Sequence, residues 1–192
     1  MQWRRTPPII TGLIYDTEDL PEHIWGGQGG TKYEILNRIK LLVLSDNSRY
    51  SYLNIKVAEF NDKICGAIIL LDSEEIAQLD TKTSLKLLFM IKGIKGKVKF
   101  IKDFIQGMSL EEGGKRELYI ANLATNKEVR GLGIGKELMR LAEKIAKEEG
   151  YKGCSLLAKD KNVRKFYEKL DYKFEKEEKY CSQYLYRMVK MV

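Results

Sequence analysis

Three glycines at alternate positions, Gly131, Gly133 and Gly135, lie between a strand-like run, Glu117–Thr125, and a segment of helical spacing, Gly133–Glu149. Ile134, Leu138, Leu141 and Ile145 form the apolar stripe of that helix, Lys and Glu fill its other face, and Gly150 marks its end. A second apolar run, Gly153–Ala158, follows at once. Two strands joined through a helix pair in parallel, because a tight turn closes only antiparallel neighbours. The chain is therefore of α/β class. Glycine in the turn lets the backbone approach a ligand closely and take up positive φ. The first N–H groups of the helix lack intrahelical acceptors, and with the positive end of the helix dipole they make an anion site. Arg130 and Lys136 flank it with full charges.

The rest of the pattern surrounds this unit. After Pro7 and Pro8, the apolar run Ile9–Tyr15 predicts a first strand, and Gly26, Gly27, Gly29 and Gly30 predict a flexible loop. Tyr33–Leu44 has helical spacing, with Ile35, Leu36, Ile39, Leu42 and Val43 on one broad face. Tyr52–Phe60 and Ile64–Leu71 predict two antiparallel strands about a turn at Asn61, Asp62 and Lys63. Glu74–Leu79 and Leu85–Ile91 predict two short helices. Lys92, Lys95, Lys97, Lys99 and Lys102 form a basic stretch that is expected as a solvated loop. Beyond Ala158 the pattern gives a helix over Lys161–Leu170 and strands near Tyr172–Glu177 and Ser182–Met188. The 192 residues are expected to form one domain.

Three phosphate-binding patterns compete for the glycine turn. A dinucleotide fingerprint needs a third glycine where Lys136 stands. A P-loop needs Ser or Thr after its lysine, and Glu137 follows Lys136. The third pattern is a coenzyme A pyrophosphate loop. Arg130-Gly131-Leu132-Gly133-Ile134-Gly135 resembles the (Arg/Gln)-x-x-Gly-x-(Gly/Ala) motif of the GCN5-related N-acetyltransferase (GNAT) superfamily, in its strand–turn–helix setting. The resemblance covers residues 117 to 178 clearly and the N-terminal half loosely.

That resemblance implies a mixed, mostly antiparallel sheet with a splayed parallel strand pair, flanked by α-helices. It implies acetyl-CoA as cosubstrate, with the backbone of Leu123 and Thr125 holding the pantetheine arm and acetyl carbonyl. The N–H groups of Gly131, Leu132, Gly133, Ile134, Gly135 and Lys136 would hold the pyrophosphate. Residues 115–192 would bind the coenzyme, and residues 1–114 would select the acceptor. A second segment, Asp160-x-x-Val163-x-x-Phe166-Tyr167, is similar to one in which the family's tyrosine protonates the coenzyme thiolate. Asp160 stands where the family has Asn, Asn162 is two residues out of register, and Asp171-Tyr172 replaces Gly-Phe. On periodicity alone Tyr167 is a core aromatic, with Val163, Phe166 and Leu170 on its face.

The reaction implied is direct attack of a neutral primary amine on the thioester through a tetrahedral intermediate, with Tyr167 as general acid. Glu117, on the strand leading to the site, is the candidate base, against a solvated strand-end carboxylate. The alternative function is a protein of this fold that binds acetyl-CoA or an anionic partner without transfer. His23, the lone histidine, reads as structural or surface. Cys65, Cys154 and Cys181 are odd in number and without CxxC spacing, so neither a disulfide framework nor a metal site is expected. With 34 Lys+Arg against 27 Asp+Glu the net charge is +7, which favours anionic partners without selecting one. Nucleic acid is not expected, since no recognition module accompanies the 92–102 lysines. No membrane-length apolar segment or signal-peptide core is visible, so a cytoplasmic location is expected. The amine acceptor is not named by the sequence, and a homodimer is an open alternative.

Overall fold

Alternation and turn chemistry account for the sheet that organises the molecule. In the computed structural model, which describes residues 7–17, 30–180 and 183–192, six strands stand in the order β1-β2-β3-β4-β6-β5. They are β1 (Ile55–Phe60), β2 (Lys63–Asp72), β3 (Glu117–Thr125), β4 (Gly153–Ala158), β5 (Lys173–Tyr180) and β6 (Gln183–Met191). β3 and β4 run parallel and every other neighbouring pair is antiparallel. This is the expected α/β class with a mixed, mostly antiparallel sheet. Asn61 and Asp62 take φ of 50° and 57°, the hand that a two-residue hairpin requires, and close β1 onto β2.

Helices cover both faces: α1 (Pro7–Thr17), α2 (Lys32–Val43), α3 (Ile76–Met90), α4 (Ile94–Gly107), α5 (Ile134–Glu148) and α6 (Lys161–Glu168). β2 shows why its sequence is continuously apolar. Ala67, Ile69 and Leu71 face a core shared with Ile10 and Ile14 of α1 and Ile35, Ile39 and Leu42 of α2. Ile68 and Leu70 face a second core with Leu138, Met139 and Ala142 of α5 and Tyr167 of α6. Among the described residues no helix is long and apolar enough to cross a membrane.

Three expectations are corrected. The segment Ile9–Tyr15 is helical: Ile10, Leu13 and Ile14 are buried at i, i+3 and i+4, and prolines at a helix start cost no internal hydrogen bond. The two short helices of 74–91 are one helix, α3. Its polar middle is used in tertiary contacts, since Thr83 Oγ1 accepts from the Arg49 N–H at 2.9 Å and Asp80 pairs with the Arg49 guanidinium at 2.6 Å. The basic stretch lies largely in the helix α4, anchored by buried Phe100. Ile94, Val98, Ile101, Ile105 and Met108 make an exposed stripe along α4 and its C-terminal end. His23, Trp25, Gly26, Gly27, Gly29 and Cys181 fall outside the described residues.

Candidate active site

A break in the sheet opens the site. β3 and β4 are paired only through Glu117–Gly153, Leu118–Cys154 and Tyr119–Ser155. Beyond Tyr119 the two strands diverge, while β3 stays paired to β2 as far as Thr125. Among the described residues, one edge of β3 from Ile120 to Thr125 therefore has no strand partner. A bulge accompanies the divergence: Ile69 faces Asn122 and Leu70 faces Ile120, so Ala121 is an extra residue.

A cavity of about 340 Å³ fills the gap. Leu123, Thr125, Arg130 and Tyr167, four of the candidate site residues, line it. Lys127, Asn122, Lys159 and, from α1, Asp16 and Thr17 line it as well. Sequence reading missed this second group. Asn122 is the one polar residue between Leu118 and Ala124 apart from Tyr119, a signal that a side chain there is needed for something other than packing. The α1 residues gave no such signal, because their segment reads as a strand.

The glycine turn meets the cavity at the start of α5. Asn126 anchors it, its N–H donating to the Cys65 carbonyl at 2.7 Å and its side chain accepting from the Glu128 N–H at 3.2 Å. Gly131 and Gly133 adopt φ of 84° and 80°, a conformation that β-carbon-bearing residues avoid. Gly133 is the N-cap and no side chain among the described residues caps α5, so its first N–H groups remain open to an anion. Gly131, Leu132, Gly133 and Lys136 are exposed, and Ile134 and Gly135 are half-buried. A β-carbon on Gly135 would lie 3.8 Å from Thr125 Cγ2 and 3.7 Å from Phe166 Cζ. The turn, the end of β3 and α6 thus converge.

Tyr167 is only 8% exposed, with Phe166 and Tyr172 rings 5.1 and 6.0 Å from its own. Burial pushes its phenol well above the ordinary value, and no neighbouring charge opposes that. The hydroxyl is held protonated at neutral pH.

Two expected site residues have other work. The Asp160 carboxylate caps α6, accepting from the N–H groups of Asn162 and Val163 at 2.7 and 2.8 Å. Asn162 itself is exposed on the first turn. Glu117, the candidate base, is engaged elsewhere. It opens β3 at the end opposite the glycine turn, roughly 26 Å along the strand from Thr125 at about 3.3 Å per residue. There it accepts from the Gly114 N–H at 2.7 Å and pairs at 2.5 Å with Arg187, which is 1% exposed and also bonded to Glu175. A buried guanidinium requires that partner. Alternation gave the face of Glu117 but not which end of the strand the cavity adjoins.

The family model described as the acetyltransferase (GNAT) family matches residues 14–172. Among solved structures, an N-acetyltransferase from Staphylococcus aureus Mu50 has a TM-score of 0.72 at 21% identity, covering 97% of this chain and 96% of that one. A mosquito arylalkylamine N-acetyltransferase-like 5b protein has a TM-score of 0.60 at 15% identity, covering 98% and 94%. A polyamine N-acetyltransferase of Drosophila melanogaster has 0.59 at 15%, covering 100% and 97%. At these identities the likeness is one of fold. No curated protein matches the sequence.

Proposed function

Since the chain belongs to the GNAT acetyltransferase family, whose model matches most of its length, we propose that it transfers the acetyl group of acetyl-CoA to a primary amine. The observation that carries this reading is the broken β3–β4 ladder facing the uncapped N-terminus of α5. An extended amide chain can add to an unpartnered strand edge, and a pyrophosphate fits an open helix start. Coenzyme A has both parts, in that order.

In this reading the backbone of Leu123 and Thr125 holds the pantetheine arm and the acetyl carbonyl. The N–H groups from Gly131 to Lys136 hold the pyrophosphate, with Arg130 and Lys127 as counter-charges. Asn162 is left as a solvent-side contact for the coenzyme, and Asp160 acts through its cap on α6. The lone pair of a neutral amine forms the new C–N bond at the thioester carbonyl, and the carbonyl pair moves onto oxygen. Collapse breaks the C–S bond, sulfur leaves with the electron pair, and the Tyr167 hydroxyl gives it a proton. The surplus proton of the amine passes to solvent, which returns one to the Tyr167 phenolate. The halves before and after residue 115 divide the work between acceptor and coenzyme, except that the cavity takes lining residues from both.

The test has two readouts. Acetyl-CoA at a hundred times its Kd should add about 2.7 kcal/mol of stability, seen as a raised Tm. Thiol release in the presence of an amine panel should then separate a transferase from a protein that binds the coenzyme without using it. A Tm unmoved by millimolar acetyl-CoA would sink the proposal.

A further inference from the structure

Asn122 occupies a place on β3 that strand alternation does not account for. Ile120 packs in the core on the α5 side, and in a regular strand the residue two further on shares that face. Ala121 interrupts the alternation, and Asn122 turns instead to α1, where its Nδ2 donates to Thr17 Oγ1 at 2.7 Å. Re-aiming one side chain is what a bulge does. The Thr17 hydroxyl uses its single hydrogen on the Ile14 carbonyl, 2.6 Å away, so its oxygen can only accept. This fixes the amide of Asn122, with nitrogen toward Thr17 and carbonyl oxygen away from it. That oxygen is buried and has no hydrogen-bond partner among the described residues, on a residue that lines the cavity. A buried acceptor left unmet is costly, and a donor on a ligand would meet it.

The same wall holds Asp16, the one carboxylate among the described residues lining the cavity. Lys127 and Arg130 belong to the glycine-turn end, and Lys159 directs its ammonium toward the Thr17 carbonyl at 3.5 Å. The two acceptors suit different nitrogens. A carboxylate beside the attacking nitrogen would hold it as ammonium, with its lone pair occupied by a proton. An amide oxygen accepts an N–H from a neutral amine and leaves the lone pair free. Asp16 is therefore of use to a positive charge elsewhere on the acceptor.

Resting on the transferase reading of this site, we infer that Asn122 and Asp16 form the acceptor subsite, and that the acceptor is a small aliphatic amine with a second cationic group, such as a diamine or an amino-guanidine. Asn122 Oδ1 accepts an N–H from the neutral nitrogen that attacks, and Asp16 pairs with the distal cation. The lone pair of that nitrogen forms the C–N bond as the C–S bond breaks, Tyr167 protonates the sulfur, and the surplus proton on nitrogen leaves to solvent.

Two amines of equal length, 1,5-diaminopentane and pentylamine, separate the second charge from everything else. The wild-type chain should show the higher kcat/KM with the diamine, and Asp16→Asn should reduce that preference about fivefold, the scale of a partly solvated ion pair. Asn122→Asp should slow both amines at neutral pH and move the pH–rate profile to higher pH, while the Kd for acetyl-CoA by calorimetry stays put. The inference is overturned if the wild type binds acetyl-CoA yet uses both amines equally or neither. It is also overturned if Asp16→Asn leaves the preference intact, or if Asn122→Asp weakens acetyl-CoA binding, which would give Oδ1 to the coenzyme. A wild type that binds no acetyl-CoA in the calorimeter fails earlier, at the transferase reading itself, before any amine is added.

Discussion

At Tyr167 the burial that packs the ring also sets the acidity of the hydroxyl. Tyr167→Phe keeps the ring against Phe166 and Tyr172 and removes only the hydroxyl, the proposed proton donor. Its kcat should fall about 100-fold, with Tm and acetyl-CoA affinity unmoved; a normal kcat would give the sulfur's proton another source. Because burial raises the phenol's pKa, Tyr167 stays protonated while the amine loses its proton. The rate should therefore climb with pH without a descending limb from this residue below about pH 10. Glu117 behaves in the opposite way. Glu117→Gln removes one of the two carboxylates paired with buried Arg187, so stability should drop by roughly 3 kcal/mol. Turnover of the folded fraction should be unchanged, and a loss of kcat without loss of Tm would restore the base role. Both residues were visible in the sequence; what each touches was not.

Among the elements, the start of α5 and the length of α4 differ in how they use exposed residues. Gly133 holds φ of 80°, and a β-carbon there meets nothing within 4 Å among the described residues, so that atom of Gly133→Val is accommodated. Its cost is the left-handed backbone, about 1–3 kcal/mol, together with a branched side chain at the open helix start. Acetyl-CoA affinity should be lost in a chain that still folds cooperatively; retained affinity would move the anion site elsewhere. In α4 the stripe of Ile94, Val98, Ile101, Ile105 and Met108 is exposed. Ile101→Ser and Ile105→Ser should each change unfolding free energy by no more than about 0.5 kcal/mol in urea. A larger loss would mean that the stripe is covered in solution. The basic stretch reads as a loop because lysines dominate its composition, while its apolar residues keep helical spacing and only Phe100 reaches the core.

At the scale of the whole molecule, buried acids govern the alkaline limit of the fold. Burial raises the phenols of Tyr119, Tyr167 and Tyr172, and pushes Tyr151 and the Cys154 thiol up to about 12. The native state keeps these protons, whereas the unfolded chain releases them from about pH 8.5 for thiol and about pH 10 for phenol. Their contribution is complete below those values and is lost as pH rises toward 12. Tm should fall steadily from pH 9 to pH 12, and a flat Tm there would contradict the burial. Local chemistry in the sequence alone determined the glycine turn, the parallel strand pair through its crossover helix, the hairpin at Asn61 and Asp62, and the Arg130–Gly135 motif. Each rests on spacing or backbone freedom within a few residues. Only the tertiary structure decided that Ile9–Tyr15 coils into a helix, that Glu117 faces Arg187 at the far end of its strand, and that Asn122 turns toward α1. A seven-residue stretch that is mostly apolar satisfies two periodicities, and the neighbour that buries it chooses between them. A strand's pattern carries no record of where its partner departs, and a bulge is a property of two strands in register.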